Sequence, residues 1–200
     1  MKKVMRMLLG GILTLAMVLS VNTSVFAAEV DNADIVPRYY ENAVEVNSYQ
    51  DVMERYGGQD GVYAERMSDE MTMYYEVKTE QTSMPLIRSV RATTQTKSHT
   101  IHSTLTNKAN QIVWKSTLKA TYKYNGTHVW CTNGITYFNS DLGSSRTLTR
   151  NSYSSAKTTG NSYYYVDSTI YTASYGTYYL HEFIYCTKTG YVGSDSRYNR

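Results

Sequence analysis

Only two of the 200 residues are cysteine, two are proline and three are phenylalanine, against 21 tyrosines. From Ala92 onward there is no proline, no stretch that reads as a helix of any length, and only four carboxylates: Asp141, Asp167, Glu182 and Asp195. Glycoside hydrolysis needs two carboxylates converging on one bond, and strand alternation sends Asp167 and Glu182 to opposite faces, so a glycosidase is not expected. No glycine-rich phosphate loop, P-loop or dinucleotide fingerprint occurs. His99 and His102 lie three apart on a strand, hence on opposite faces, and cannot share a metal as they would on a helix. They read as surface histidines. Cys131 has His128 near it in sequence but on the other face, which is no nucleophile–base pair. The chain is therefore expected to be no enzyme and to hold no metal or cofactor.

What is present begins with a compartment. Residues 1–27 combine a basic start (Lys2, Lys3, Arg6), an apolar run from Met7 to Val21 and a small-residue end at Val25-Phe26-Ala27, the layout of a cleavable secretory signal. The run has about 15 residues, short of the roughly 20 that span a bilayer as a helix. No cysteine follows it to carry a lipid, and the C-terminus has no sorting motif, so release from the cell without a stable membrane anchor is expected. The whole chain carries +3, which Lys2, Lys3 and Arg6 supply; the remaining 173 residues hold 17 bases and 17 acids. That balance gives no argument for nucleic-acid binding.

Charge divides the rest. Residues 28–91 hold 13 acids and 6 bases, and residues 92–200 hold 4 acids and 11 bases, so −7 faces +7. The acidic segment is expected to dock on the basic region or screen it. Within it, Asn47 to Gly58 predicts a two-turn helix, near 48–56, capped by Asn47 or Ser48 and stopped by glycine, with Val52, Met53 and Tyr56 as its apolar stripe. Met71 to Lys78 predicts a strand with Met71, Met73, Tyr75 and Val77 on one side. Thr79 to Lys97 reads as a linker, and its Arg88 and Arg91 offer a site for an Arg-specific protease.

Residues 92–200 predict a tyrosine-rich antiparallel β-sandwich of six or seven strands. Ile112 to Tyr124 alternates most clearly, with Trp114, Ser116, Leu118, Ala120, Tyr122 and Tyr124 inward and Lys115, Lys119 and Lys123 outward at steps of roughly 13 Å. Asn125-Gly126 predicts a two-residue hairpin pairing Tyr122 with Val129, Ala120 with Cys131 and Thr121 with an outward Trp130. Thr100–Leu105, Ile135–Phe138 and Ser145–Ser152 are weaker strands. Tyr163 to Cys186 predicts a long hairpin turning at Ser174-Tyr175-Gly176, Ala173 facing Thr177. One face then carries Tyr164, Val166, Ile170, Leu180, Ile184 and Cys186, and the other Tyr165, Asp167, Tyr171, Tyr179, His181, Phe183 and Tyr185. Glu182 is a misfit on the aliphatic face, explained by a bulge or by a ladder ending near solvent.

Cys131 and Cys186 both point inward, and in an oxidising compartment a disulfide is expected, worth ~4 kcal/mol on the chain-entropy model. It is not of the immunoglobulin kind, because no tryptophan lies between the cysteines. The strand ending KYNGTHVWC, the later strand ending FIYC and the TKTG turn after it, all within residues 112–190, resemble small secreted β-sandwich proteins of Gram-positive bacteria. The resemblance implies a fold and a disulfide, and no activity.

Sugar rings stack their C–H faces on aromatic rings, so a tyrosine-rich sheet face outside the cell suits glycan binding. The expectation is a secreted, non-catalytic binder of an extracellular glycan or surface protein, acting through Trp130, Tyr165, Tyr171, Tyr179 and Tyr185 with Lys119 and Lys123 beside them. Two alternatives remain: a processed antibacterial or toxin-like effector whose acidic leader masks the basic domain until cut near Arg91, and a structural secreted protein without a ligand.

Overall fold

The computed structural model describes residues 38–82, 93–140 and 142–199; the segment expected to be a secretory signal, Arg88, Arg91 and Asp141 lie outside them. The described residues form a 3-10 turn (Arg38–Asn42), one α-helix, α1 (Tyr49–Tyr56), and ten strands: β1 (Val44–Val46), β2 (Gly61–Arg66), β3 (Met71–Thr82), β4 (Gln95–Asn107), β5 (Ile112–Tyr124), β6 (Val129–Asn139), β7 (Ser145–Tyr153), β8 (Asn161–Thr172), β9 (Gly176–Thr187) and β10 (Val192–Asn199). They make two sheets, one of six strands in the order β1-β2-β3-β4-β5-β6 and one of four in the order β10-β9-β8-β7. All pairs are antiparallel except β1 with β2.

Seven of these strands fall within residues 92–200, as many as the sequence allows for. The other three come from the acidic segment, and that changes its relation to the rest. β3 pairs with β4 along twelve positions, from Met71↔Asn107 to Thr82↔Thr96. Met71, Met73, Tyr75 and Val77, the side expected to be apolar, are buried in the common core. The described part of the segment thus supplies half of the strands of the larger sheet, and residues 79–82 and 95–97, expected to be linker, form the end of β3 and the start of β4.

The helix is stopped as expected. Gly57 adopts φ 63°, and the Gly57 and Gly58 amides return to the Met53 and Val52 carbonyls. Its start differs: Ser48 makes no side-chain cap, and Asp51 Oδ2 instead accepts the Asn47 amide at 2.9 Å. Tyr49 and Val52 are its buried residues, and Tyr49 meets Tyr75 edge-on at 4.9 Å between centroids. The helix thereby closes one side of the sandwich against β10. The other side is closed by backbone, with Val129 and Thr158 exchanging bonds of 2.9 and 3.0 Å and the Cys131 amide reaching Ser154 O at 3.1 Å.

Both hairpin registers differ from expectation while the faces hold. In β8–β9, Thr172 pairs with Gly176 and Ile170 with Tyr178, so every partner moves by two residues. A shift of two preserves side-chain direction, and Tyr164, Val166, Ile170, Leu180, Ile184 and Cys186 are all buried. In β5–β6, the turn is four residues long, with Tyr124 opposite Val129 and Lys123 opposite Trp130. The cause is the Asn125 side chain, whose Oδ1 accepts the amides of Thr127 and His128 at 3.1 and 2.8 Å. Further along β6 the ladder slips at Thr121/Tyr122, and Ala120 then pairs with Gly134. Gly134 is required there: a Cβ would lie 2.8 Å from the ring of Tyr164, which packs across from the other sheet.

Three expectations are corrected in the core. His99 is buried and not a surface residue; its Nδ1 meets Thr79 Oγ1 at 2.8 Å and its Nε2 meets Ser194 Oγ at 3.2 Å. Glu182 lies neither at a bulge nor at a ladder end. It is fully buried in the middle of β9, where Ser103 Oγ and Ser116 Oγ donate to its two oxygens at 2.8 and 2.7 Å. Cys131 and Cys186 are buried free thiols rather than a disulfide. Each turns back to its own sheet's backbone, Cys131 Sγ to Asn133 O at 3.3 Å and Cys186 Sγ to Thr187 O at 3.4 Å. Burial pushes the thiols up to about 11 and about 12, so neither is a nucleophile near neutral pH.

Candidate functional site

The outer face of the four-stranded sheet is built in cross-strand rows. In the central row Arg150 of β7 pairs with Asp167 of β8, Asp167 with His181 of β9, and His181 with Arg197 of β10. In the next row Ser152 pairs with Tyr165, Tyr165 with Phe183, and Phe183 with Asp195. Beyond it Tyr163 stands opposite Tyr185 and Tyr185 opposite Gly193. One charged row thus borders two aromatic ones.

A bulge puts Arg150 in that row. Regular alternation along β7 would give Arg150 the direction of Arg146, whose guanidinium points inward to Thr136 Oγ1 at 2.8 Å and Ser116 Oγ at 3.3 Å. The register shifts between Leu148 and Arg150, and the extra residue, Thr149, donates from Oγ1 to Asp167 O at 3.0 Å. The inserted residue turns Arg150 outward to face Asp167.

Asp167 organises the row. Its two oxygens accept separately from Arg150 Nε and from His181 Nδ1. Burial alone would raise its carboxyl, but the bonds and charges of His181 and Arg150 together hold it below the usual aspartate range. Arg197 pairs with Asp195 through Nε at 2.6 Å. The Arg150 guanidinium also lies 5.6 Å from the centre of the Tyr165 ring, a cation–π contact.

The rings form a continuous strip. Tyr163 and Tyr165 are 5.8 Å apart between centroids, Tyr163 and Phe183 6.4 Å, Phe183 and Tyr185 5.8 Å, and Tyr185 and Tyr191 6.2 Å. Tyr185 lies down over β10 because Gly193 has no side chain, a Cβ there falling 2.4 Å from its ring carbons. A shallow groove of about 450 Å³ runs between Arg150, Tyr165, His181, Phe183, Asp195 and Arg197, and a second of about 430 Å³ continues it past His181 and Arg197 to Tyr179. A larger hollow is polar, with Arg66 paired to Asp69 and Lys108 to Glu70 along its lining.

The residues expected to act together fall on two sheets. Tyr165, Tyr171, Tyr179 and Tyr185 share the outer face of the four-stranded sheet, Tyr171 and Tyr179 being more than half exposed at one end. Trp130, Lys119 and Lys123 are on the outside of the six-stranded sheet, which looks the other way. There Lys157 Nζ stands 4.8 Å from the Trp130 ring centre and Lys119 is paired with Glu80 at 3.8 Å. Arg150, Asp195 and Arg197 were not anticipated: one is turned by the bulge and two sit on a strand with no apolar alternation. His181 and Asp167 were placed on the correct face but not opposite each other. Among the described residues no group of three metal-ligating side chains converges. No protein-family model, no curated protein and no solved structure matches the chain.

Proposed function

We propose that this is a secreted, non-catalytic β-sandwich protein that binds an extracellular surface, glycan or protein, through the outer face of its four-stranded sheet. The observation that carries the reading is the strip from Tyr163 to Tyr191, which no other element covers among the described residues and which an ordered charged row borders. Rings that serve only to form strands are normally covered or scattered, whereas a contiguous exposed patch with convergent polar groups marks a place of contact. The described strands of the acidic segment, which could have covered these rings, are taken up in the other sheet.

Glycan arrays and cell-wall pull-downs with the secreted protein test it. Tyr165→Ala with Phe183→Ala should weaken binding by about tenfold or more, as loss of central aromatic anchors does. Gly193→Val, which forces the Tyr185 ring off its seat, should weaken it in the same assay. Trp130→Ala, on the opposite side, serves as the comparison and should leave it unchanged. Binding indifferent to the first two changes removes this face from the function.

The processed-effector alternative has less support. A cut near Arg91 falls between β3 and β4, which stay bonded along twelve positions, so the cut by itself would not unmask an intact domain.

A further inference from the structure

The charged row is layered in depth. The side chains of Asp167 and Asp195 are only 16% and 23% exposed, whereas those of Arg150, Arg197 and His181 are 67%, 75% and 40% exposed. The acids lie beneath and the bases above. Both arginines are held through Nε and their side chains are largely exposed, which leaves the Nη groups available to a ligand. Those groups can grip a planar anion with two parallel bonds. Beside the arginine row, one cross-strand row along, lies an aromatic floor of Tyr165 and Phe183, directly opposite each other on neighbouring strands.

We propose that this groove takes an acidic glycan, with a sugar ring lying on Tyr165 and Phe183 and its carboxylate or sulfate groups held by the Nη groups of Arg150 at one side and of Arg197 at the other. The inference rests on the reading of this face as a binding surface and adds the sign and class of the ligand. Three observations carry it. The acids of the row already accept bonds within the protein, so the groups turned outward are donors that call for an acceptor-rich or anionic partner. The floor is aromatic, which suits a ring with an apolar face and not a bare phosphate or small carboxylate. The bulge at Thr149 turns a cation outward that regular alternation would have sent into the core, a device found where strands carry sites. A neutral glycan would use outward carboxylates as well as donors, and a second copy placed face to face would set arginines against arginines.

The full secreted chain can be tested by affinity electrophoresis against polygalacturonate, dextran sulfate and neutral dextran. At least one acidic polymer should be bound roughly tenfold or more tightly than dextran, and which one separates carboxylate from sulfate. Arg150→Gln with Arg197→Gln should cost at least about tenfold in Kd for that polymer. Tyr165→Ala with Phe183→Ala should do the same, with thermal melting confirming that both variants fold. Dextran bound as tightly as the acidic polymers, with the arginine variant unaffected and the aromatic variant impaired, overturns the acidic class and leaves the binding face standing. Acidic polymers held regardless of the aromatic change show a polyanion contact only and overturn the glycan. No binding to any polymer, together with cell-wall binding indifferent to both variants, overturns both readings.

Discussion

Ser116 of β5 donates from Oγ to Glu182 Oε2 of β9 at 2.7 Å, across the gap between the two sheets. Ser103 of β4 does the same for the other oxygen, and Ser103 Oγ lies 3.3 Å from Ser196 Oγ of β10. A carboxyl group stripped of water is tolerable only when its oxygens are bonded, and here serines from two strands of the facing sheet do so. The core is therefore tied across its middle by a polar layer as well as by apolar burial. Such a layer favours one register, because sliding either sheet by a residue leaves a carboxyl and its hydroxyls unpaired.

Burial raises the Glu182 carboxyl above its usual range, against the opposing pull of Ser116, Ser103 and Arg146. The folded protein then keeps a proton that the unfolded chain has released. Stability should fall as pH rises from the ordinary glutamate range through the raised folded value and level off above it. Glu182→Gln, neutral and nearly isosteric, should flatten this limb in melting curves taken between pH 4 and 8. Glu182→Ala leaves a cavity and takes the acceptor from two buried hydroxyls, and should cost about 2–4 kcal/mol. A glutamine variant with the same pH profile as the parent places the titration elsewhere.

His99 works in the opposite direction. Burial lowers it from 6.5 to about 4, so the folded state excludes a proton that the unfolded chain accepts. Stability from this residue is complete above about pH 6.5 and lost as pH falls toward 4, by roughly 3 kcal/mol at most. His99→Gln can still bond Ser194 and should remove the acid-side decline without abolishing folding. The two limbs oppose each other, so each is measured as the difference between parent and variant.

Much of the sandwich was legible because alternation is strong in β5, β8 and β9, and a register error of two residues does not change which face is buried. What escaped was polar. In β10 the inward positions include Ser194 and Ser196, both buried, so no apolar period announces the strand. The serines fit because their partners across the core, His99 and Ser103, are polar too. Arg150 escaped for a different reason. A bulge is a decision of the backbone, and the composition of Ser145–Tyr153 does not reveal it. Trp130 was correctly turned outward, but alternation says nothing about which sheet a strand joins, and its separation from the tyrosine face follows from the pairing of β6 with β5.

The last prediction concerns the acidic segment. Without β1, β2, β3 and α1, the fragment 92–200 loses Met73, Tyr75, Val77, Tyr49 and Val52 from the core and leaves β4 with an unpaired edge. Full burial of such side chains contributes about 1.5–3 kcal/mol each, and a bare edge strand of thirteen residues invites pairing with other chains. Expressed alone, the fragment should aggregate or lack a cooperative melt. Cutting the intact protein after Arg88 or Arg91 should have a different result. The twelve-position ladder between β3 and β4 should keep both pieces together as one species by size exclusion under native conditions, and denaturing electrophoresis should resolve two. A soluble, cooperatively melting fragment 92–200 would show that the three strands are an addition to the fold and not part of its core, and it would restore the case for a leader that is shed.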